Sequence, residues 1–206
     1  ADEETVQRLI TAPEGQSLKY EVYFKLILAT GMRRGEACGL RWSDIDWRQR
    51  ALHIRRNVVK LSGQPILVKE PKTRAGVRVV YLSKELCKLL RVWQKESAWE
   101  KEQRGEGGLE EEDYLFRQPG GDPMVPSTFT FRFKKILREG NLLDNLNVHS
   151  LRHTNASRLI AQGVDVRTVA GLLGHAQPST TLDIYSHAFD KNKKLAQEKL
   201  AEAMGL

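Results

Sequence analysis

Apolar and polar positions along most of the chain recur with the 3.6-residue period of an amphipathic helix. Ser83 stands directly before one such segment and is a residue type that caps helix N-termini. The pattern predicts helices over residues 2–12, 18–32, 33–40, 83–103, 127–138, 149–163, 165–174, 178–187 and from about 190 onward. The chain is therefore expected to be mostly α-helical.

One part of the chain, in the N-terminal half, has strand-like segments instead. The segments "ALHIRRNVVKL", "QPILVKE" and "GVRVVYL" are short, rich in β-branched residues and separated by the turn signals "SGQP" and "KTRAG". They predict a small antiparallel sheet of three strands. A later break, "RGEGGLEEED", predicts an exposed, mobile loop. The expected fold class is thus mostly α with a small three-stranded antiparallel sheet (α+β).

The charge of the chain indicates what kind of molecule it could bind. The chain of 206 residues is 40% apolar, carries a net charge of +7 and has a pI near 9.5. Residues 100–113 contain seven acidic and two basic side chains, a local balance of −5, so the remainder carries +12. Such a cationic surface suits a polyanion. Nucleic acid is the main candidate, and an anionic membrane surface is a lesser one.

Cysteine usage and hydropathy indicate where the protein works. Cys38 and Cys87 form neither a CxxC pair nor a disulfide framework, which is typical of a reducing compartment. No run of 18 apolar residues could span a bilayer, and no secretory signal is recognisable. We expect an intracellular protein that does not bind to a membrane.

The segment "HSLRHT" holds the densest candidate chemistry. His149, Arg152 and His153 are spaced i, i+3 and i+4, which places them on one side of a helix. Ala156 and Ile160 continue that side as an apolar stripe. The polar groups are therefore expected at the rim of a core, where a cleft would lie, although a helix start with satisfied polar side chains would show the same pattern.

Four further segments add candidates, each with an ordinary structural interpretation. "TGMRRGE" places Arg33 and Glu36 one turn apart, as in a surface ion pair, and Arg34 is either a phosphate contact or a solvated charge. "PKTRAG" places Lys72 in a turn between strands, where a solvated lysine is common. "LLGH" and "TTLDIYSH" contribute His175 after a helix end and Tyr185 ten residues later, each of which a structural role could explain.

In this order and spacing, these segments resemble the catalytic domain of tyrosine recombinases of the phage and transposon integrase family. The resemblance covers nearly the whole chain. It implies six catalytic residues, with Tyr185 as the nucleophile: Arg33, Lys72, His149, Arg152, His175 and Tyr185. Glu36 is implied as a supporting residue, and His153 is expected either to support the site or to pack. His187 is expected on the helix that carries Tyr185.

The resemblance also implies an activity: site-specific DNA cleavage and rejoining through a 3′-phosphotyrosine, in a phage or other mobile element. The chemistry of the residues agrees. Two guanidiniums suit phosphate oxygens, histidines can hydrogen-bond the developing charge, and a lysine can protonate the leaving oxygen. No cofactor is implied. A zinc site is not expected, since no cysteine or carboxylate near the histidines completes a tetrahedral set.

The expected partner is double-stranded DNA, with a monomer in solution and a homo-oligomer, a tetramer, on DNA. Residues 1–188 are expected to form the catalytic domain. Residues 189–206 are expected to form a tail helix that packs either on its own domain or on a neighbouring protomer. The N-terminal DNA-binding domains common in the family are expected to lie outside this chain, and the protein to be cytoplasmic, in a bacterial cell or phage-infected host.

Two other functions fit part of the same evidence. A type IB topoisomerase shares the Arg, Lys, His and Tyr chemistry but needs no specific site, and the "LLGH" block and its distance to Tyr185 favour the recombinase. A DNA-binding regulator would explain the charge but not the six candidate residues. A nicked duplex discriminates among the three functions, since a recombinase traps a covalent complex on a specific sequence, a topoisomerase traps one on many sequences, and a regulator traps none.

Overall fold

Helices surround two small antiparallel sheets within residues 3–71, 74–142 and 146–204, the parts of the chain that the computed structural model describes. The helices are α1 (Glu3–Thr11), α2 (Leu18–Thr30), α3 (Arg34–Cys38), α4 (Lys84–Gln103), α5 (Pro126–Glu139), α6 (Val148–Ala161), α7 (Val166–Leu173) and α8 (Pro178–Met204). The strands are β1 (Ile45–Asp46), β2 (Ala51–Ile54), β3 (Asn57–Lys60), β4 (Ile66–Lys69) and β5 (Arg78–Tyr81). Short 3₁₀ turns lie at Trp42–Asp44 and Arg74–Gly76. The mostly α fold with small antiparallel sheets is confirmed.

Side-chain caps fix where the long helices begin. The Ser83 hydroxyl accepts the N–H of Leu86 at 3.1 Å at the start of α4, as the sequence predicted. The Asn147 side chain accepts the N–H groups of His149 and Ser150 at the start of α6. This second cap places "HSLRHT" in the first turns of its helix.

The strands pair differently from the prediction. The segment 51–61, predicted as one strand, divides into β2 and β3 at Arg55 and Arg56. The three-stranded sheet has the order β1-β2-β5, and β3 and β4 form a separate two-stranded sheet. At this break the Arg56 guanidinium donates to the buried Asp44 carboxylate at 2.7 Å. The prediction that the three segments form one sheet was therefore wrong in its pairing.

An aromatic core holds α2, α4 and α5 together. The Tyr23 ring stacks on Phe129 with centroids 3.5 Å apart, and Phe116 lies edge-on to both rings. The Tyr23 hydroxyl donates to the carbonyl of Arg34 at 2.9 Å, at the start of α3. The core thereby fixes the backbone beside Arg33.

A second, smaller core lies under α6, α7 and α8. Its buried members are Ala156, Ile160, Val169, Leu173 and Tyr185. Tyr185 interrupts α8 with non-helical backbone angles, φ −118° and ψ 19°. The two helices predicted for 178–187 and for the tail therefore form one helical run with a kink at Tyr185.

The predicted loop at residues 104–113 is mostly exposed and is anchored by ion pairs. Lys101 binds Asp113 at 2.7 Å, and Arg117 binds Glu106 at 2.5 Å. The acidic residues of this segment thus neutralise basic side chains of their own domain.

Candidate active site

The turn between α2 and α3 positions Arg33 against Glu36. The Arg33 N–H donates to one carboxylate oxygen of Glu36 at 2.8 Å, and its guanidinium donates to the other at 2.9 Å. The Glu36 side chain is 3% exposed, whereas that of Arg33 is 42% exposed. Glu36 therefore holds Arg33 from the protein interior and leaves part of its guanidinium open to solvent.

Arg78, from β5, is a second cation on Glu36. Its two Nη atoms donate to the two Glu36 oxygens at 3.1 and 2.8 Å, and its Nε donates to the Leu172 carbonyl at 2.7 Å. Burial alone would raise the pKa of the Glu36 carboxyl, but the hydrogen bonds and charges of Arg78 and Arg33 bring that pKa below its ordinary value. The buried carboxylate therefore stays ionised between two guanidiniums.

Arg152, on α6, is buried at the bottom of the site. It donates to the carbonyl of Gly31 at 2.6 Å and to that of Leu173 at 2.8 Å. Burial and the neighbouring Arg33 lower the pKa of Arg152 to about 10, so it remains a cation at neutral pH. Arg152 thus joins the ends of α2 and α7 and keeps its charge.

His175 contacts Arg152 through its ring. The Arg152 guanidinium lies 2.9 Å from Nε2, and Thr181 Oγ1 lies 2.7 Å from Nδ1. A guanidinium can only donate, so Nε2 accepts and Nδ1–H donates to Thr181. Burial and the nearby arginines, Arg152 above all, lower the pKa of His175 to about 4, which keeps the ring neutral at neutral pH.

Gly174 allows His175 to approach this closely. It ends α7 in the left-handed conformation with φ 68°, and its carbonyl accepts from Arg33 at 3.3 Å. A Cβ at this position would lie 2.7 Å from a guanidinium nitrogen of Arg78. Only glycine satisfies both the backbone angle and this contact.

Tyr185 reaches the site from α8 and is 7% exposed. Its hydroxyl lies 2.8 Å from His153 Nδ1. The His153 ring in turn meets His149 edge-on, with centroids 4.5 Å apart. Burial raises the pKa of Tyr185, and the charge of Arg152 opposes that rise only in part. The phenol is therefore protonated at neutral pH.

An open cleft of about 370 Å³ lies beside these groups. Three arginines and a histidine are among its lining residues, which are Met32, Arg33, Arg34, Thr130, Asn147, Val148, His149 and Arg152. Arg34 donates to the Thr130 hydroxyl at 3.3 Å. The cleft carries a positive charge that suits an anionic group.

A second cavity of about 540 Å³ separates the β3–β4 hairpin from the connection between α7 and α8. Arg33, Glu36 and His175 line it on one side and Lys69 and Pro71 on the other. Lys72 follows Pro71 directly and lies outside the described residues.

The profile of a known protein family matches residues 1–192 and is described as the phage integrase family. This chain belongs to the phage integrase family. Relatives include a "Tyrosine recombinase XerC-like" protein of Caldanaerobacter subterraneus, 31% identical over 96% of this chain and 52% of the relative. The ICEBs1 integrase of Bacillus subtilis is 30% identical over 98% of this chain and 54% of the relative. The chain thus spans about half the length of these relatives.

Solved integrase structures have the same fold. The Tn1549 transposon integrase in complex with transposon right end DNA matches with a TM-score of 0.80 at 23% identity, over 98% of this chain and 65% of that one. The XerA recombinase matches with a TM-score of 0.68 at 26% identity, over 95% of this chain and 64% of that one.

In this integrase-family chain, the fold brings together most of the residues expected at the site. Arg33, His149 and Arg152 line one cleft, His175 binds Arg152, and Tyr185 approaches through His153. Arg78 was not predicted from the sequence. Arg78 shares a face of β5 with buried Val80, whereas the apolar Val79 and Tyr81 on the other face are exposed, so the pattern of apolar residues gave no signal that Arg78 is buried.

Among the described residues, no group of three or more His, Cys, Asp or Glu side chains is placed to bind a metal ion. The same part of the chain contains no helix that is long and apolar enough to cross a membrane.

Proposed function

We propose that this chain is the catalytic part of a site-specific DNA recombinase. It cleaves and rejoins strands of double-stranded DNA through a 3′-phosphotyrosine on Tyr185. The single observation that carries the proposal is the Tyr185 hydroxyl held by a histidine next to a cleft lined by arginines. A phenol near a cationic cleft that can hold a phosphate is the arrangement that phosphodiester attack needs.

In this proposal the scissile phosphate occupies the cleft of about 370 Å³. Arg33 and Arg152 bind its non-bridging oxygens, since planar guanidiniums match phosphate oxygens in pairs. Arg33 is the more exposed of the two and is oriented by Glu36. As the pentacoordinate transition state gains negative charge, these donors bind it more tightly than they bind the ground state.

The two catalytic histidines act differently. His149 lines the cleft and can hydrogen-bond a phosphate oxygen directly. Both nitrogens of His175 are engaged, by Arg152 and Thr181. His175 therefore orients Arg152, and its own hydrogen bond to phosphate would require one of these contacts to open.

Lys72 is the proposed donor of the proton that the leaving 5′-oxygen takes. Its neighbour Pro71 lines the second cavity, which Arg33 also lines. With this donor and two arginines on the phosphate, the proposed reaction needs no metal and no cofactor.

The surface beside the cleft suits a DNA backbone. On α5, Phe131, Lys134, Lys135 and Arg138 are all exposed, and their spacing places them on one side of the helix. Thr130 of the same helix lines the cleft. Phosphates that flank the scissile one would meet these basic side chains, and the ring of Phe131, 72% exposed, can contact a base or sugar.

We also propose assembly into a tetramer on DNA from a monomer in solution, in the cytoplasm of a bacterial or phage-infected cell. The tail supplies an unoccupied apolar surface: Ala196, Leu200, Ala203 and Met204 lie on one side of α8 and all are exposed. Docking on a neighbouring protomer would bury them. These apolar side chains are exposed in the single chain, which supports docking on a neighbouring protomer over packing on the same domain.

The test uses a pool of nicked duplexes with a randomised central segment. The nick releases a short strand after attack and so traps the covalent complex. We expect denaturant-resistant protein–DNA adducts whose DNA, once sequenced, converges on one site, and we expect none with Tyr185→Phe, which removes only the hydroxyl. Adducts without a common sequence would indicate a topoisomerase-like activity. Specific binding without any adduct would indicate a regulator.

A further inference from the structure

The hydroxyl of Tyr185 has a hydrogen-bond partner within the described part of the chain, and that partner is a histidine from another helix. Tyr185 Oη and His153 Nδ1 are 2.8 Å apart, with ring centroids 5.6 Å apart and an angle of 59° between the rings. Both side chains are at least partly enclosed, so bulk water does not surround the contact.

The charges around this contact favour a neutral imidazole. His149 and Arg152 from α6 face His153, and Tyr185 faces it from α8. Burial and the charge of Arg152 lower the pKa of His153 below its ordinary value, so the ring is neutral at pH 7. With its own proton on Nε2, such a ring accepts the phenol hydrogen at Nδ1.

We propose that His153 is the general base that takes the phenolic proton of Tyr185 during strand cleavage. This inference rests on the proposed function. The O–H bond of Tyr185 breaks as its proton moves to His153 Nδ1, and the freed electron pair forms the bond from Oη to phosphorus. The bond from phosphorus to the 5′-oxygen breaks, and that oxygen takes a proton from Lys72. Rejoining returns the proton from His153 to the phenol.

Geometry favours His153 over the other two histidines. His149 contacts the His153 ring and lines the cleft, and no hydrogen bond joins it to Tyr185 among the described contacts. His175 has both nitrogens engaged by Arg152 and Thr181. A base must lie within hydrogen-bond reach of the proton that it removes, and His153 meets this requirement.

The test compares His153→Asn with His149→Asn in single-turnover cleavage of a nicked duplex. The Asn oxygen can occupy the position of Nδ1 and accept the same hydrogen bond, but an amide does not take a proton. For His153→Asn we expect cleavage at pH 7 to fall about 10²-fold. The rate should then rise roughly tenfold per pH unit up to pH 9, while the wild-type rate levels off once His153 is neutral. His149→Asn should keep the wild-type pH profile at a lower rate.

Several results would overturn the assignment. A His153→Asn variant with the wild-type rate and profile would mean that the contact only positions Tyr185. A steep pH profile in His149→Asn instead would assign the base to His149. A folded His153→Asn variant that high pH does not rescue would assign the contact a purely structural role.

A second measurement covers the case in which His153→Asn folds poorly. Imidazole added to His153→Ala should restore cleavage in proportion to the neutral imidazole present, and a lack of rescue counts against the base. If the proposed function itself is wrong, the result differs: wild type will form no more covalent adduct than Tyr185→Phe does. The inference about His153 then fails with it.

Discussion

Arg78 and Glu36 form a buried, two-pronged ion pair between β5 and α3, with both carboxylate oxygens engaged within 3.1 Å. Their side chains are 6% and 3% exposed. The carboxylate that orients Arg33 is thus itself fixed from the sheet. The sheet contributes none of the proposed catalytic side chains among the described residues, yet it determines where Arg33, one of the arginines proposed to bind phosphate, lies.

Removing Arg78 should therefore damage both stability and activity. Arg78→Ala leaves Glu36 buried with Arg33 as its remaining cation, and we expect a loss of about 3 kcal/mol in the free energy of unfolding, near the lower end for a broken buried pair. Urea unfolding measures this loss. The double variant Arg78→Met, Glu36→Gln removes the unpaired charge and should recover much of the stability while cleavage stays impaired. Equal stability of the two variants would argue against a charge effect.

Gly31 should tolerate no side chain. Its φ is 66°, and a Cβ would lie 2.7 Å from Asn155 Oδ1 and 2.8 Å from a Leu173 methyl group. Gly31→Ala should cost about 1 kcal/mol for the backbone angle and a further 1–3 kcal/mol for the clash. Gly63→Ala is the matched control, since Gly63 has φ 72° and its added methyl group would meet nothing within 4 Å. Unfolding free energies that fall equally in both variants would rule out the clash.

The depressed pKa of His175 predicts acid sensitivity. The folded value is about 4 and the unfolded value near 6.5, so the unfolded chain binds more protons between these two pH values. Stability from this group is complete above pH 6.5 and is lost as the pH falls toward 4. His149 and His153 also have lowered pKa values and act in the same direction. His175→Gln should therefore lose less stability than wild type over this range in thermal unfolding, and identical slopes would contradict the prediction.

Lys72 as the proton donor predicts a substrate-dependent defect. Lys72→Ala should slow cleavage of ordinary DNA by about 10²–10⁴-fold. A duplex with sulfur in place of the bridging 5′-oxygen has a leaving group that departs without a proton. The variant should cleave it nearly as fast as wild type does. The same defect on both substrates would remove Lys72 from this role.

The tail should be needed for assembly and not for the fold. Deletion of residues 190–206 retains Phe189, which packs against the small core around Tyr185, and removes the exposed Leu200 and Met204. We expect a folded protein that occupies two-site DNA as single copies and does not recombine. Leu200→Glu with Met204→Glu, in a full-length tail, should give the same band pattern in gel-shift assays. Normal recombination by the deletion variant, or its unfolding, would exclude an intersubunit tether.

Local signals made much of the fold predictable. The start of α4 was predicted because Ser83 is a residue type that caps helices, and α6 because Ala156 and Ile160 continue the side of the helix that carries His149 and Arg152. The sheet was harder, because the pairing of β2 with β5 joins segments more than twenty residues apart, and because the break between β2 and β3 lies where Arg56 contacts Asp44, a residue twelve positions earlier in the chain. No local pattern encodes either feature.

The candidate site also contains residues that the sequence could indicate and contacts that it could not. The sequence could nominate candidate residues because they stand in motifs that resemble those of the integrase family: Arg33, His149, Arg152, His175 and Tyr185. Arg78 was missed because an inward-facing arginine in a strand resembles an outward-facing one until its partner Glu36 is placed. The contact of His153 with Tyr185 depends on how α8 lies across α6, which spacing along the chain does not specify.

The kink in α8 places Tyr185 at the junction between two helical segments. The helix resumes directly after Tyr185 and runs to Met204, a rod of about 28 Å at 1.5 Å per residue. Tyr185, which carries the proposed nucleophilic oxygen, stands at the kink where this part of the helix begins. If the tail binds a neighbouring protomer as proposed, a displacement at its far end would be transmitted along the helix to Tyr185. Tail docking and the position of the proposed nucleophile would then be coupled through the kink.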